Sequence, residues 1–283
     1  MVGFINLIKP AGMSSAYAVG AVKHALRVPC GHMGTLDPMA SGVLPVGIGK
    51  ASRLFDYMLD KQKTYQAEFR FGILTDTLDV TGKVEKTCPI IPTKEEIEKV
   101  LEEFIGEIDQ VPPNYSAKCV NGKRGYQLAR AGKEFTLPPK KVTVLDYKCI
   151  EKVNDTDYKF IIKCKGGTYI RSLARDLGLR LGTYAVMSSL CRTECGVFNY
   201  SNGVTVEEFK NSKDVEKYLI SADETINFNK IVLTEKQAKK QLNGVFENYG
   251  FSDGTYRVYN ESAFLGIGIV KDGILKMKSY VRG

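Results

Sequence analysis

Residues 31–45 read GHMGTLDPMASGVLP and carry a single formal charge, the carboxylate of Asp37. Over the wider segment 28–49, the only other titratable side chains are those of Cys30 and His32. Glycine and proline hold special backbone angles, so this composition predicts a shaped loop. Because an isolated buried carboxylate is costly, Asp37 is predicted either to be exposed or to meet a cation from elsewhere in the chain.

The composition of the whole chain is that of a globular protein with excess positive charge. The 283 residues are 43% hydrophobic and 25% charged, with a net charge of +8 and a pI near 9.0. That length allows one large domain and a small one. The charge favours a polyanionic partner, and residues 229–283 hold nine Lys/Arg against five Asp/Glu, half of the excess.

Several classes of protein are disfavoured by what the sequence lacks. We expect no signal peptide and no membrane span, because no basic leader and no long apolar run is present. The seven cysteines are scattered without a CxxC pair, and there are only two histidines. We therefore expect a cytoplasmic protein with no zinc site and no disulfide framework.

Alternating hydrophobicity predicts a half-buried strand at 63–72, KTYQAEFRFG, with Tyr65 on its apolar face. Two further strand-like runs lie at 142–150 and 158–166. The stretch 224–230, ETINFNK, is predicted to be a linker before the basic C-terminal segment.

Helical periodicity predicts four helices, in SSAYAVGAVKHALRV (14–28), PTKEEIEKVLEEFIG (92–106), TYIRSLARDLGLRLG (168–182) and TEKQAKKQL (234–242). Ser14 or Ser15 is expected to cap the first helix, and Thr93 with Glu96 forms a capping box for the second. The predicted apolar stripe of the second helix consists of Ile97, Val100, Leu101, Phe104 and Ile105. In the third helix, Arg171 lies in the first turn, off the apolar stripe.

Residues 111–135 are predicted to form a loop-rich excursion in which cations alternate with Tyr115 and Tyr126. The cations are Lys118, Lys123, Arg124, Arg130 and Lys133. This pattern suits contact with RNA phosphates and stacking on bases. The alternative is a solvated surface loop. Taken by itself, without other evidence of RNA binding, the segment favours this alternative.

No familiar catalytic motif accompanies Asp37. The sequence holds no GxGxxG after a strand, no GxxxxGK[ST] and no GxSxG. Asp37 also lacks the paired carboxylate of a glycosidase and the second acid, two residues on, of a phosphatase-type nucleophile. One acid in a rigid loop, a cation at a helix start and an aromatic strand face do not by themselves specify a reaction.

Five segments of the chain match one protein family in type and in order. They are KPAGMSS (9–15), GHMGTLDPMASGVLPVGIGKA (31–51), KTYQAEFRFGILTDTLDVTG (63–82), VPPNYSAKCVNGKRGYQLARAG (111–132) and GGTYIRSLARDLG (166–178). Together they resemble the TruB family, the tRNA pseudouridine-55 synthases. The loop with TLD is highly specific, and the TYIR segment adds independent support.

The resemblance implies a mixed α/β (α+β) fold, with a largely antiparallel central sheet flanked by helices. It also implies a small C-terminal PUA-like RNA-binding domain. The catalytic domain is expected over residues 1–228, with an RNA-contacting excursion at 113–135, and the small domain over 229–283.

Members of the family isomerise one uridine of the tRNA T-loop, at position 55, to pseudouridine, with base flipping and with no cofactor or metal. The resemblance therefore implies a tRNA-binding enzyme that works as a monomer with no obligate protein partner. Two functions of other classes stay open: a non-catalytic RNA-binding or RNA-folding module, and a metal-dependent hydrolase with Asp37, Asp76 and Asp79 as ligands. Relatives that act on messenger RNA or with guide RNAs are a nearer alternative.

The resemblance makes Asp37 the catalytic aspartate, with Arg171 as its ionic partner and Tyr65 stacked on the target uracil. An adjacent guanidinium lowers the pKa of a carboxylate and keeps it charged. From the residues alone, Arg171 could equally pair with Asp176 or a phosphate, and Tyr65 could be a core residue.

The family also implies substrate-binding residues, which are His32, Tyr169, Leu190 and Lys9. The implied contacts with the RNA backbone are Lys118, Lys123, Arg124, Arg130 and Arg192. The segment 189–198 departs from the family pattern, because Cys191 stands where an Arg is expected and Glu194 adds an acid. These departures weaken the case for phosphate contact by this segment, although Arg192 remains available.

Overall fold

The computed structural model of the chain describes residues 2–58, 62–116, 119–120, 123–131, 135, 137–261 and 263–281. Of residues 119–120, 123–124, 126 and 129–130, only the backbone is described.

In these residues the strands are β1 (Gly3–Lys9), β2 (Cys30–His32), β3 (Ser41–Ile48), β4 (Lys63–Phe71), β5 (Ile73–Thr75), β6 (Val84–Thr87), β7 (Gly106–Gln110), β8 (Cys119–Val120), β9 (Lys123–Arg124), β10 (Lys140–Lys152), β11 (Asp157–Cys164), β12 (Ala185–Cys195), β13 (Phe198–Asn199), β14 (Val204–Thr205), β15 (Ile220–Ser221), β16 (Asn229–Leu233), β17 (Gly254–Asn260), β18 (Ala263–Lys271) and β19 (Ile274–Tyr280). The α-helices are α1 (Ser15–Leu26), α2 (Lys94–Leu101), α3 (Gly125–Arg130), α4 (Ile170–Arg180), α5 (Val206–Asn211) and α6 (Glu235–Leu242). Shorter 3-10 helices lie at Gly49–Tyr57, Glu102–Phe104, Tyr200–Asn202, Glu216–Tyr218 and Ala222–Thr225.

The chain divides into two compact units, one formed by residues 1–61 and 195–283 and the other by residues 62–194. In the first unit, β1 pairs with β3 in antiparallel register over its whole length, from Gly3 opposite Ile48 onward. The other edge of β1 pairs with β14 in parallel and with β15 in antiparallel orientation. All seven residues of β1 are buried, so this strand lies at the centre of the unit.

Helix α1 confirms the predicted first helix. The side chain of Ser14 accepts a hydrogen bond from the backbone amide of Tyr17, so Ser14 is the N-cap and Ser15 is the first helical residue. Arg27 adopts the left-handed conformation (φ +54°) that ends the helix two residues before Pro29.

The second unit contains the predicted half-buried strand. β4, β11, β10 and β7 pair in that order, each pair antiparallel, and β12 lies on the other side of β4. The alternation of β4 is as predicted, because Tyr65, Ala67, Phe69 and Phe71 are all buried. The run at 142–150 falls within β10, and the run at 158–166 overlaps β11 as far as Cys164. Their antiparallel pairing confirms the largely antiparallel sheet.

Helix α2 begins with the predicted capping box between Thr93 and Glu96. Its apolar stripe is shorter than predicted, because Ile97 and Leu101 are buried whereas Ile105 is 44% exposed. The chain changes to a 3-10 helix over Glu102–Phe104, and Ile105 follows it in an extended conformation (φ −85°, ψ 138°), so the predicted helical position of Ile105 is wrong.

The four strands of the C-terminal segment form their own sheet in the order β16, β17, β18, β19, with α6 packed against β16. A core cluster inside this segment includes Ile231, Val258 and Leu275. A second cluster joins its residues Phe264 and Val281 to the N-terminal strands and to Ile226, part of the predicted linker; further members include Phe4, Ile8, Val43, Leu54, Tyr259 and Ile267. The proposed division into 1–228 and 229–283 stays a prediction.

The observed elements confirm the predicted fold class, a mixed α/β protein with a largely antiparallel central sheet, flanking helices and a small C-terminal domain. In the described part of the chain, none of the helices is both long enough and apolar enough to cross a membrane.

Candidate active site

The backbone on both sides of Asp37 is held by hydrogen bonds. The hydroxyl of Ser15 donates to the carbonyl of Leu36 at 2.8 Å and accepts from the amide of the same residue at 2.9 Å. The carbonyl of Asp37 accepts from the amide of Ala40 at 3.0 Å, which closes a turn. Asp37 is half-buried in this turn. The predicted shaped loop is therefore present.

Lys9 supports the same loop from inside the protein. Its ammonium donates to the carbonyls of Pro10, Met13 and Pro38 at 2.8, 2.6 and 3.3 Å. The side chain is 0% exposed, and the amide of Gly12 also donates to the carbonyl of Pro38, at 2.8 Å. Because the ammonium is fully buried, its position gives no support to contact with RNA, and the role of Lys9 in binding substrate stays a prediction. Lys9 fixes residues 10–13 to the loop.

His32 lies at the entrance to this loop. It is the last residue of β2 and stands opposite Val46 of β3. Met33, which follows, donates its amide to the carbonyl of Pro45 at 2.9 Å. The imidazole is half-buried, and its predicted role with the T-loop stays a prediction.

The second unit contains Tyr65, Tyr169, Leu190 and Arg171. Tyr65 and Leu190 are 6% and 7% exposed, on strands β4 and β12, and Tyr169 is half-buried at the start of α4. Since Asp37 belongs to the other unit, its predicted pairing with Arg171 stays a prediction.

Arg171 is almost completely buried, with 6% of its side chain exposed. Its guanidinium donates to the carbonyls of Thr77 and Tyr115 at 2.8 and 2.9 Å. It also lies 3.7 Å from a carboxylate oxygen of Asp79. Asp176, the alternative partner considered from sequence, forms its ion pair with Arg175 at 2.8 Å.

Sequence reasoning missed the link between Asp79 and Arg171. Asp79 is 5% exposed, and one of its oxygens accepts from the hydroxyl of Thr77 at 2.9 Å and from the amide and hydroxyl of Thr81 at 3.0 and 2.5 Å. The pattern T-x-D-x-T, two threonines flanking an aspartate, signals such a turn. It does not reveal a partner 92 residues away.

The hydrolase alternative needs Asp76 and Asp79 as metal ligands, and both carboxylates are engaged in hydrogen bonds. Asp76 accepts from the amide of Lys83 at 2.8 Å, and Asp79 accepts from the amide of Thr81 at 3.0 Å, so both acids of TDTLDVTG bind backbone amides close by in sequence. Within the described ranges, no three His, Cys, Asp or Glu side chains are grouped as metal ligands.

The start of α4 is held by a buried amide side chain. Gln110 is 1% exposed; its oxygen accepts from the amide of Tyr169 at 2.8 Å, and its nitrogen donates to the carbonyl of Tyr169 at 3.1 Å. The hydroxyl of Ser172 donates to the carbonyl of Val111 at 2.8 Å. The end of β7 thus fixes the helical turn that carries Arg171.

Of the residues predicted to contact the RNA backbone, the structure describes the side chain of Arg192 only. Arg192 is 0% exposed on β12, a position that gives no support to contact with an RNA backbone, and its role in binding phosphate stays a prediction. The neighbouring Glu194 accepts from the hydroxyl of Thr64 at 2.6 Å. Lys118 lies outside the described residues, and so do the side chains of Lys123, Arg124 and Arg130.

Burial makes two thiols poor nucleophiles. It raises the pKa of Cys149 and of Cys164 to about 11 in each case. Both side chains therefore stay protonated at neutral pH, and thiolate chemistry is excluded for them.

Two family models match the chain, and together they cover residues 23–226, which include Asp37 and Arg171. The model of the TruB family pseudouridylate synthase N-terminal domain matches residues 23–170, more than half of the chain. This chain belongs to the TruB family. The model of the tRNA pseudouridylate synthase B C-terminal domain matches residues 171–226, beginning at Arg171.

Individual TruB proteins match nearly the whole chain. The tRNA pseudouridine synthase B of Caldanaerobacter subterraneus subsp. tengcongensis is 39% identical over 98% of this chain and 98% of its own length. That of Clostridium kluyveri is 40% identical over 98% of both. That of Ehrlichia ruminantium is 44% identical over 78% of this chain and 76% of its own.

Solved structures share the fold of this TruB chain. A chain of a Cbf5-Nop10-Gar1 complex is 26% identical, with a TM-score of 0.67, and covers 98% of this chain and 79% of its own. A chain of an H/ACA RNP bound to a substrate RNA containing 2'-deoxyuridine is 22% identical, with a TM-score of 0.72 over 99% of this chain and 85% of its own.

Proposed function

We propose that this chain isomerises uridine 55 in the T-loop of tRNA to pseudouridine, without a cofactor or a metal. Its TruB relatives, 39–44% identical, are named tRNA pseudouridine synthase B. The enzyme acts in the cytoplasm as a monomer. The observation that carries the proposal is Asp37, half-buried in a loop whose backbone is hydrogen-bonded on both sides.

The reaction breaks the bond between the sugar and nitrogen 1 of uracil, turns the base, and forms a bond from the sugar to carbon 5. The proton of carbon 5 is then released. Asp37 supplies an ionised carboxylate, which serves as a nucleophile or as a base. The hydrogen-bonded loop holds the carboxylate of Asp37 in one position relative to the sugar while the base turns.

Arg171 is the proposed partner of Asp37. Its guanidinium is oriented by the carbonyls of Thr77 and Tyr115 and by the carboxylate of Asp79. A guanidinium held in this way presents a fixed positive charge that can form an ion pair with the carboxylate of Asp37.

The target base must leave its stack before Asp37 can act on it. In the proposal, Tyr65 stacks on the flipped uracil, and Leu190 with Tyr169 lines the pocket. His32 takes part in recognising the opened T-loop. These contacts offset part of the cost of unstacking.

Binding to the rest of the tRNA is proposed to depend on cations. Lys118, Lys123, Arg124 and Arg130 contact the phosphates, and the C-terminal residues 229–283 form a PUA-like RNA-binding domain. Its excess of Lys/Arg supports this assignment.

The test is release of tritium from tRNA labelled at carbon 5 of uridine, measured in a chelator with wild type, Asp37→Asn and Asp155→Asn. Asp155 is exposed in the turn between β10 and β11, so its variant removes the same charge far along the chain. We expect release by wild type and Asp155→Asn only, with tRNA binding kept by Asp37→Asn.

Other outcomes identify the rival functions. If folded wild type binds tRNA but releases no tritium, the chain is a non-catalytic RNA-binding module. If release requires a divalent cation, the metal-free reaction is wrong. If mapping of the product finds pseudouridine at another position, the assignment to uridine 55 is wrong while the isomerase activity stands.

A further inference from the structure

Ser15 is buried at the point where helix α1 meets the loop of Asp37. Its side chain is 3% exposed, and its hydroxyl uses both hydrogen-bonding functions on one residue, Leu36. The O–H donates to the carbonyl at 2.8 Å, and the oxygen accepts from the amide at 2.9 Å. The Leu36 side chain is itself 2% exposed, so this residue is held by packing as well.

The carbonyl that Ser15 binds belongs to the peptide group joining Leu36 to Asp37. The next two carbonyls are also bonded, that of Asp37 to the amide of Ala40 and that of Pro38 to the amide of Gly12. Three consecutive peptide groups around Asp37 therefore have fixed orientations. Since the direction of the Cα–Cβ bond follows from the backbone, this arrangement also fixes where the carboxylate of Asp37 starts.

The neighbouring Ser14 performs a different task. Its side chain accepts from the amide of Tyr17 and caps α1, and no hydrogen bond to the loop is recorded for it among the described residues. The two adjacent serines can therefore be compared directly. Ser14 caps the helix, whereas Ser15 binds Leu36, the residue before Asp37.

We propose that Ser15 is a positioning residue for Asp37, which acts by holding the Leu36–Asp37 peptide group in the orientation that catalysis requires. This inference rests on the proposed function, in which Asp37 is the catalytic group. A displacement of about 1 Å at a reacting group lowers a rate by ~10²-fold. Loss of the Ser15 hydroxyl is therefore expected to slow the chemical step and to leave binding of tRNA nearly unchanged.

The experiment measures single-turnover tritium release at saturating enzyme, the dissociation constant for tRNA, and the melting temperature. The variants are Ser15→Ala, Ser15→Cys, Ser14→Ala and Asp37→Asn. We expect Ser15→Ala to lower the rate by about 10–100-fold, with the dissociation constant within about threefold of wild type. Ser14→Ala should melt earlier, because it lacks the cap, but keep its rate within about twofold.

Ser15→Cys keeps the test decisive if the alanine variant does not fold, because a thiol fills the same space but is a weak hydrogen-bonding group. A folded cysteine variant with the wild-type rate would overturn the inference, as would equal rates for Ser15→Ala and Ser14→Ala. If Asp37→Asn kept full activity, the proposed role of Asp37 would be wrong. If Asp37→Asn is inactive and only the serine result fails, the proposed function stands and the role of Ser15 does not.

Discussion

The side chain of Gln110 binds the backbone of Tyr169 through two hydrogen bonds, one to its amide and one to its carbonyl. Helix α4 has no side-chain cap of its own, so this pair, together with the bond from the Ser172 hydroxyl to the carbonyl of Val111, holds its first turn. The sequence separation of 59 residues makes the contact invisible to any local pattern.

Replacing Gln110 by Ala is expected to lower both stability and activity. It leaves the amide of Tyr169 without its partner, whereas the carbonyl still accepts from the amide of Leu173. Loss of that partner costs ~1–3 kcal/mol of unfolding free energy. It also loosens the turn that carries Arg171, so tritium release should slow by more than the loss of folded protein explains. Urea unfolding and single-turnover assays measure the two effects. The matched control is Gln66→Ala, on the exposed face of β4, which should change neither.

Arg171→Lys is expected to reduce tritium release by about 10²-fold, the loss typical for removing a preorganised electrostatic group. A lysine ammonium cannot reproduce the planar contacts with the carbonyls of Thr77 and Tyr115. Arg175→Lys, one turn further along α4, is the control and should keep its rate within about threefold. Similar losses in both variants would mean that the helix, not the guanidinium of Arg171, is what matters.

Arg192→Met should reduce thermal stability without changing the salt dependence of tRNA binding. The side chain is fully buried, so we expect it to neutralise no phosphate. By contrast, Arg124→Met should lower the slope of log K against log salt by about 0.7–0.9, the value for one phosphate contact. Binding isotherms at several salt concentrations separate the two cases. A lower slope for Arg192→Met would instead show that the side chain of Arg192 contacts an RNA phosphate.

Arg70 and Asp157 stand opposite each other on β4 and β11 and form a bidentate pair at 2.9 and 3.1 Å. Burial raises the pKa of Asp157, but the hydrogen bonds from Arg70 and Thr156 outweigh it and hold the pKa below its usual value. A lowered folded-state pKa stabilises the protein above the unfolded pKa, and that stability is lost as the pH falls through the folded one.

Arg70→Ala is therefore expected to cost ~1.5–3 kcal/mol of unfolding free energy at pH 7. The difference from wild type should narrow as the pH falls toward about 3, where the carboxylate of Asp157 is increasingly protonated in the unfolded chain. Urea unfolding across this range provides the measurement. Arg180→Ala breaks the exposed pair with Glu103 and should have little effect at any pH. If Arg70→Ala lost the same unfolding free energy at every pH, the coupling between this ion pair and protonation of Asp157 would be wrong.

Local patterns predicted the elements well because their causes are local. The alternation of β4, the capping box of α2 and the cap of α1 each depend on residues a few positions apart. The prediction for Ile105 is wrong because the helix ends before this residue and its backbone is extended, which spacing alone does not signal.

The burial of Lys9 and Arg192 could not be predicted from the sequence. Both were assigned to RNA through the resemblance to TruB proteins, which implies roles but does not show burial. Lys9 is buried because carbonyls of Pro10, Met13 and Pro38 converge on it, and only the folded loop brings Pro38 there. The resemblance to TruB proteins identified the right motifs, but it did not show which cations support the loop and which face solvent.

The apolar cluster that joins Phe4 to Phe264 and Val281 has a consequence for the order of assembly in the cell. Phe264 and Val281 follow strand β1 by more than 250 residues, yet they belong to the core around it. At 5–20 residues per second, roughly 15–55 s separate their synthesis from that of β1. During that time apolar surface beside β1 stays uncovered on the growing chain, which favours binding of chaperones until these residues have been added.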